Sequence, residues 1–352
     1  MNKIDANITM FADGFIDEVW EIVDTRTGLS DYTAYSQMRK FSERIANSGS
    51  GGVGLEIVRK RRTYGGFTSN TGTATGKLGV DTALVGGYGS TEIDPVYREL
   101  DKRCRLYPFG NPCVTHIFEF DDGKVMMTYL ETMNDVSWKH IVDKLGVDTI
   151  KSLLQKSSIV CVGYWSLLPA FDEIVSGICE NMPDDGITRR FFFDFADILK
   201  RDRSALVNTI DVLRDINESF PVTLSVNEHE SSALFSLLSE APDNTEQSIK
   251  DAIRRTQQYM GFDEFVVHTP LYAAAALASG ECAYIKQKYC ENPVRTAGAG
   301  DTFNAGYITA SLAGLNISER LYTANTAVSF FLCEGTAPDQ DSLMAHMQSM
   351  ES

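Results

Sequence analysis

Six short runs of apolar, β-branched or aromatic residues punctuate the chain: ITMFA (8–12), TALVGG (82–87), SIVCVGYW (158–165), RFFFDFA (190–196), VTLSV (222–226) and FVVHT (265–269). Stretches of helical period, such as FDEIVSGIC (171–179) and ALVNTIDVLRDI (205–216), lie between most of them. Near-continuous apolar runs of this length suit strands buried on both faces. Alternation of strand and helix builds a mostly parallel sheet with helices on both sides, so the expected class is α/β. At 352 residues the chain is long for one core, and the expectation is one large domain, 1–352, carrying an extension. THIFEFDDGKVMMTYL (115–130) breaks the pattern: two β-rich runs flank Asp122-Gly123, a two-residue hairpin signal, and predict an antiparallel ribbon outside the main sheet. NSGSGGVG (47–54) reads as a flexible connection.

Charge narrows the function classes. A formal net charge of -16 and a pI near 4.8 oppose attraction to nucleic acid or an anionic membrane, so neither is an expected partner. A chain this acidic must bind phosphate locally. Seven cysteines, odd in number and without a CxxC pair, read as reduced thiols of a cytosolic protein. Asp5 and Asp13 interrupt the first fifteen residues where a signal peptide needs an apolar core, and no run approaches a membrane span, so a soluble, cytoplasmic protein is expected. Gly76-Lys77 is not a P-loop, because Thr71 and Leu78 stand where Gly and Ser/Thr are required. GGYG (86–89) does not extend to GxGxxG, HESSA (229–233) lacks a zinc protease's second histidine, and no GxSxG occurs.

RTAGAGDTFNAGY (295–307) carries the chemistry. In Gly298-Ala299-Gly300-Asp301 small residues let the backbone approach a ligand, and the following helix offers unpaired N–H groups at its positive end. A carboxylate repels phosphate, a conflict that resolves if Asp301 faces an attacking hydroxyl and takes its proton. The residues alone equally allow a glycine-rich turn with Asp301 as N-cap. Three further groups stand out. Gly65-Gly66-Phe67-Thr68-Ser69-Asn70 precedes a helix of small residues in which Gly72 and Gly76 share a face. Asp13 and Asp17 follow the first strand, as hydroxyl ligands or as solvated loop acids. Asn227-Glu228-His229-Glu230 follows VTLSV and fits a capping box, Asn227 at N-cap and Glu230 at N3.

Together these motifs, from about residue 8 to about residue 340, resemble the ribokinase-like sugar kinases, the PfkB family. Its C-terminal signature, approximately DTxGAGDxFxAG, is matched by Thr296, Gly298, Ala299, Gly300, Asp301, Phe303, Ala305 and Gly306. The resemblance implies a central, mostly parallel sheet flanked by helices, with a small β-sheet lid from roughly 17–64 and 112–132 that mediates a homodimer in some relatives. By resemblance Asp301 is the catalytic base, and Gly298, Ala299 and Gly300 form the anion hole. Asp13, Asp17, Gly65, Gly66 and Asn70 would surround a sugar, as in the family's GDxxxD and GGxxxN segments. Asn227 and Glu230 match NxxE, which helps hold Mg2+ and phosphate partly through water. The implied reaction is Mg2+-dependent transfer of the ATP γ-phosphoryl group to a hydroxyl of a small sugar or sugar acid, with an ordinary carboxylate sufficing as base. A nucleoside kinase, with Gly163-Tyr164 receiving a base, and a non-catalytic sugar or nucleotide sensor are the alternatives.

Two positions depart from the family. Arg295 replaces the signature's leading aspartate, in a region that binds a monovalent cation in several relatives, and predicts activity insensitive to potassium. The nucleotide strand's usual turn, resembling TxGxxG, reads Val267-His268-Thr269-Pro270-Leu271-Tyr272-Ala273. Pro270 removes an N–H and Ala273 restricts the backbone. His268 and Thr269 are the expected nucleotide contacts there, by a pattern that must differ from the family's.

Overall fold

The computed structural model describes residues 6–288 and 290–351. In chain order its strands are β1 (Asn7–Phe11), β2 (Phe15–Arg26), β3 (Tyr32–Ala34), β4 (Ile57–Gly65), β5 (Asp81–Gly86), β6 (Cys104–Pro108), β7 (Cys113–Phe120), β8 (Gly123–Tyr129), β9 (Ser157–Val162), β10 (Arg190–Asp194), β11 (Val222–Asn227), β12 (Glu264–His268), β13 (Tyr272–Leu277) and β14 (Cys282–Lys286). Nine form the main sheet, in the order β14-β13-β12-β11-β10-β9-β1-β5-β6. Pairing is parallel from β6 to β12, and the β12-β13-β14 meander closes one edge antiparallel.

Each of the six apolar runs supplies a strand of this sheet. Alternation within them serves two cores: in β10, Phe191 and Phe193 stack at 5.6 Å in one cluster while Phe192 points into the other. Helices cover both faces, among them Phe171–Glu180 and Arg203–Asn217, where helical spacing predicts them. The helix Ala299–Leu312 packs against Ile317–Glu334, and Gly306 lies so close to Ala324 that a Cβ there would sit 2.8 Å from its Cα.

The remaining five strands form a smaller sheet. β2 leaves the carboxyl end of β1 and pairs antiparallel with β3 and β4 and parallel with β7. β8 lies at an edge, antiparallel to β7. The expected ribbon is therefore present, but Phe120 pairs with Gly123, so its two turn residues are Asp121 and Asp122 rather than Asp122 and Gly123. Gly123, at φ 150°, takes the first place of the strand because the extra freedom is needed where the strand begins. β4 returns to the main body at Gly65, directly before the helix Phe67–Lys77. The residues NSGSGGVG connect the helix Met38–Ala46 to β4.

Among the described residues all seven cysteines are free, and no helix is long and apolar enough to cross a membrane.

Candidate active site

Parallel strands bring their carboxyl ends to one edge, where loops and helix N-termini build sites. Here that edge carries Asp13 after β1, Tyr164 after β9, Asp194 closing β10, Asn227 closing β11 and His268 closing β12. A cleft of about 760 Å³ runs along it, lined by Asp194, Glu230 and Gly298 to Asp301 from the main body and by Lys124 and Met126 from the smaller sheet.

Asp301 is the third residue of the Ala299–Leu312 helix, and Gly298, at φ 95°, is its N-cap. The glycine-rich turn is thus real, but Asp301 does not cap it. Its carboxylate turns away from the helix backbone: Oδ2 accepts from Asn70 Nδ2 (3.0 Å), and Oδ1 from the hydroxyls of Thr71 (3.2 Å) and Tyr164 (3.3 Å). Burial, with the nearby charge of Asp194, pushes Asp301 well above the usual carboxylate range despite those donors. The expectation of an ordinary carboxylate is corrected here. No side chain caps this helix; the Ala299 N–H donates to Thr296 O (3.1 Å), and the next N–H groups, of Gly300 and Asp301, face forward from the first turn.

The neighbouring helix Glu228–Leu237 begins in the opposite way, with the full capping box read from the sequence. Asn227 Oδ1 accepts from the N–H groups of His229 (2.9 Å) and Glu230 (3.1 Å), and Glu230 Oε2 from the Asn227 N–H (2.9 Å). Glu230 is 3% exposed and its Oε1 has no hydrogen-bond partner. Burial, followed by the charge of Asp194, lifts its pKa to about 9. An unpartnered buried carboxylate oxygen beside a second acid is a fitting donor for a hard divalent cation. Among the described residues no cluster of three His, Cys, Asp or Glu could enclose a metal alone. That pattern suits magnesium, which binds through one or two carboxylates, water and substrate phosphates.

Asp194 is the acid that sequence reasoning passed over. It accepts from the Ala196 N–H (2.9 Å) and from Asn304 Nδ2 (2.8 Å), while Asn304 Oδ1 accepts from Ser225 (2.7 Å). This buried relay joins β10, β11 and the Asp301 helix, and burial holds Asp194 up near 6. Its available signal was a lone acid ending a strand, in RFFFD, the same signal that singled out Asp13.

Asp13 is fully buried and caps a helix from outside it. Oδ2 accepts from the Phe67 N–H (2.6 Å) and Oδ1 from the Thr68 N–H (3.0 Å) and hydroxyl, taking the place of a side-chain cap that Gly66 cannot provide. Burial nevertheless raises it to about 7. Gly66, at φ 83°, and Gly65 are required by these contacts, since a Cβ would meet the carboxylates of Asp13 at 2.7 Å and Asp17 at 2.6 Å. Asp17, on β2, is raised to about 6 by burial, against the charges of Arg295, Lys124 and Arg61.

His268 and Thr269 stand beside the cleft but are engaged within the protein. The His268 ring stacks on Phe303 at 4.7 Å, and burial lowers it to about 4, so it is neutral at neutral pH. The Thr269 hydroxyl accepts from the N–H groups of Leu271 (3.1 Å) and Tyr272 (2.9 Å) and donates to Tyr272 O (3.0 Å). Arg295 lies 5.6 Å over the Phe331 ring, next to Asn70 and Gly298, with Nε buried and unpartnered.

Comparison with known proteins agrees in fold and family. A curated ketohexokinase of Haloferax volcanii is 25% identical, covering 97% of this chain and 91% of its own. Ribokinase of Arabidopsis thaliana, solved with ribose and ATP, aligns with a TM-score of 0.64 at 16% identity, covering 98% of this chain and 99% of that one. Adenosine kinase of Sinorhizobium meliloti aligns at 0.66 and 14%, again over 98% and 99%. The family model for prokaryotic ketohexokinases matches residues 2–350, and the chain accordingly belongs to that family, a branch of the ATP-dependent, ribokinase-like (PfkB) carbohydrate kinases.

Proposed function

We propose that this kinase transfers the γ-phosphoryl group of ATP to a hydroxyl of a small sugar or sugar acid, with Asp301 as general base. The observation that carries this reading is the placing of a buried carboxylate beside an uncapped helix start. Asn70, Thr71 and Tyr164 hold the carboxylate toward one side, and Gly300 and Asp301, whose N–H groups open the first turn, line the same cleft. A hydroxyl between them loses its proton to Asp301 as the transferred oxygens gain charge against the N–H groups. Magnesium, held by Glu230 and Asn227 through water, neutralises phosphate charge when bound. Asp17, Gly65, Gly66 and Asn70 border the acceptor, whereas Asp13 acts on it mainly by fixing the helix that carries Asn70.

The smaller sheet is the lid in this reading, since Lys124 and Met126 reach the cleft from β8. Exposed Met127 and Tyr129 on the same edge strand support a homodimer through it, which the particle mass in solution tests.

The Haloferax relative makes a ketohexose the first acceptor to try. The test is ATP consumption with magnesium across ketohexoses, pentoses, sugar acids and nucleosides, with Asp301→Asn alongside. Turnover on one class that vanishes in the variant supports the assignment; nucleosides preferred over all sugars would replace the acceptor with a nucleoside. Binding of ATP and sugar without turnover would turn the reading toward a sensor.

A further inference from the structure

A second, smaller cavity of about 40 Å³ lies behind the start of the Asp301 helix and shares only Gly298 with the lining of the cleft. Asn70, Thr73 and Lys77, spaced three and four apart on the Phe67–Lys77 helix, turn one face to it. Arg295, lying over Phe331, lines it as well. Two atoms here are buried without a hydrogen-bond partner: Arg295 Nε and Thr73 Oγ1, the latter on a residue 4% exposed. In folded proteins nearly all buried polar atoms are paired, so two orphans around one space ask for a ligand. The space is larger than a single water needs.

Charge selects the ligand. Arg295 and Lys77 are both cations, and no carboxylate is among the residues lining the cavity. The acids whose charge bears on them lie outside it, Asp17 for Arg295 and Asp101 and Asp339 for Lys77. Lys77 is tied down by Thr336 Oγ1 (2.6 Å) and Ala337 O (3.1 Å), and burial lowers its pKa from the ordinary lysine value. Two cations at one partly buried space repel each other and any metal ion, whereas a small anion relieves both. The remaining donors, the hydroxyls of Thr73 and Tyr64 and the second hydrogen of the Asn70 amide, suit a monatomic anion, which accepts from any direction. We propose that this cavity binds a small monovalent anion of the chloride class, held by Arg295, Lys77 and Thr73, and that its occupancy steadies Asn70. Asn70 is the link to the cleft, since its Nδ2 also donates to Asp301 Oδ2 (3.0 Å). The effect through Asn70 rests on the reading of Asp301 as base; the binding does not.

The test is the melting temperature of the ligand-free protein in sodium chloride against sodium gluconate at equal concentration, for the wild type, Arg295→Met and Thr73→Val. Crystals grown in sodium bromide locate the halide by its anomalous scattering. The wild type is expected to melt roughly 1–3 °C higher in chloride, with bromide in the cavity. Arg295→Met should abolish the difference and Thr73→Val reduce it. Thr73→Val only exchanges a hydroxyl for a methyl group, so a misfolded Arg295→Met leaves the test intact. Absence of bromide from the cavity, or a chloride effect equal in all three proteins, overturns the site. With the site occupied, turnover on the best acceptor should follow chloride with the midpoint found by melting, and should lose that dependence in Arg295→Met. A bound halide with turnover unaffected overturns the coupling through Asn70. Failure of every acceptor to turn over counts against the reading of Asp301 and leaves the binding result as it stands.

Discussion

Two helices begin at the same edge of the main sheet, and they begin differently. The helix at Glu228 has its first N–H groups taken by the Asn227 side chain, and its third residue returns one carboxylate oxygen to the backbone. The helix at Ala299 starts from a left-handed glycine with no side-chain hydrogen bond capping its end, and its third residue turns its carboxylate to Asn70, Thr71 and Tyr164 instead. Where side chains saturate a helix start, the carboxylate oxygen of Glu230 left without a partner is the atom that, in the proposed reading, would serve a magnesium ion. Where a glycine starts the helix without a side-chain cap, the N–H groups of Gly300 and Asp301 are left for an anion, and in the proposed reading the acid takes the acceptor's proton. One sequence pattern, an acid three residues past a strand-to-helix turn, thus has two structural outcomes.

The largest effect should come from Asp301→Asn, an isosteric change that keeps Asn70 and Thr71 in place. Turnover is expected to fall by roughly 10²- to 10⁴-fold with acceptor KM little altered. Near-normal turnover would erase the distinction between the two helix starts. Because Asp301 is pushed up by burial and by Asp194, the acid limb of kcat/KM should lie at higher pH than an ordinary carboxylate gives, and should disappear in the variant.

Next, Glu230→Gln preserves the capping geometry, since an amide oxygen also accepts the Asn227 N–H, but removes the carboxylate that would ionise on binding magnesium. The magnesium concentration for half-maximal rate is expected to rise roughly 10- to 100-fold, with the melting temperature unchanged or higher. An unchanged magnesium requirement would reduce Glu230 to a cap. Gly298→Ala sharpens the other side: a Cβ there has ordinary room, 3.4 Å from Phe331, so its cost is the strain of φ 95°, of order 1–2 kcal/mol. Turnover should fall by more than stability does, because strain at the cap displaces the first-turn N–H groups.

A smaller effect concerns Asp13. Its folded pKa of about 7 lies above the ordinary 3.8, so the folded state holds this proton more firmly. That contribution to stability is fully present at low pH and is lost as pH rises through 7. Asp13→Asn should flatten the fall in unfolding free energy of the ligand-free protein between pH 4 and 7, seen in denaturant titrations, at a capping cost of about 1 kcal/mol. The smallest change is expected from exchanging sodium for potassium, because Arg295 places a fixed cation beside Gly298 and Asn70. Strong potassium activation would rule that out.

Much of this was legible in the chain. The apolar runs from ITMFA to FVVHT all became strands of one sheet, because a strand buried on both faces needs continuous hydrophobicity, and that requirement is local. The Asn227–Glu230 box was readable for the same reason: both partners lie within one turn. β13 and β14 escaped notice, since YAAAAL carries alanines rather than β-branched residues and becomes a strand only by pairing with β12. At the site, residue types and order marked Asp13, Asp17, Asn70, Glu230 and Asp301, but not their division of labour. Asp13 became a remote helix cap, and Asp194 joined the cleft unannounced.

The sequence by itself determined the layered α/β architecture and the two helix starts, because period, glycine and capping residues act over a few positions. Only the tertiary structure decided which acids lost their water and which oxygens were left without a partner. Desolvation and charge at Asp301, Glu230 and Asp194 arise from strands and helices more than a hundred residues apart in the chain converging on one edge, and no local pattern encodes that burial.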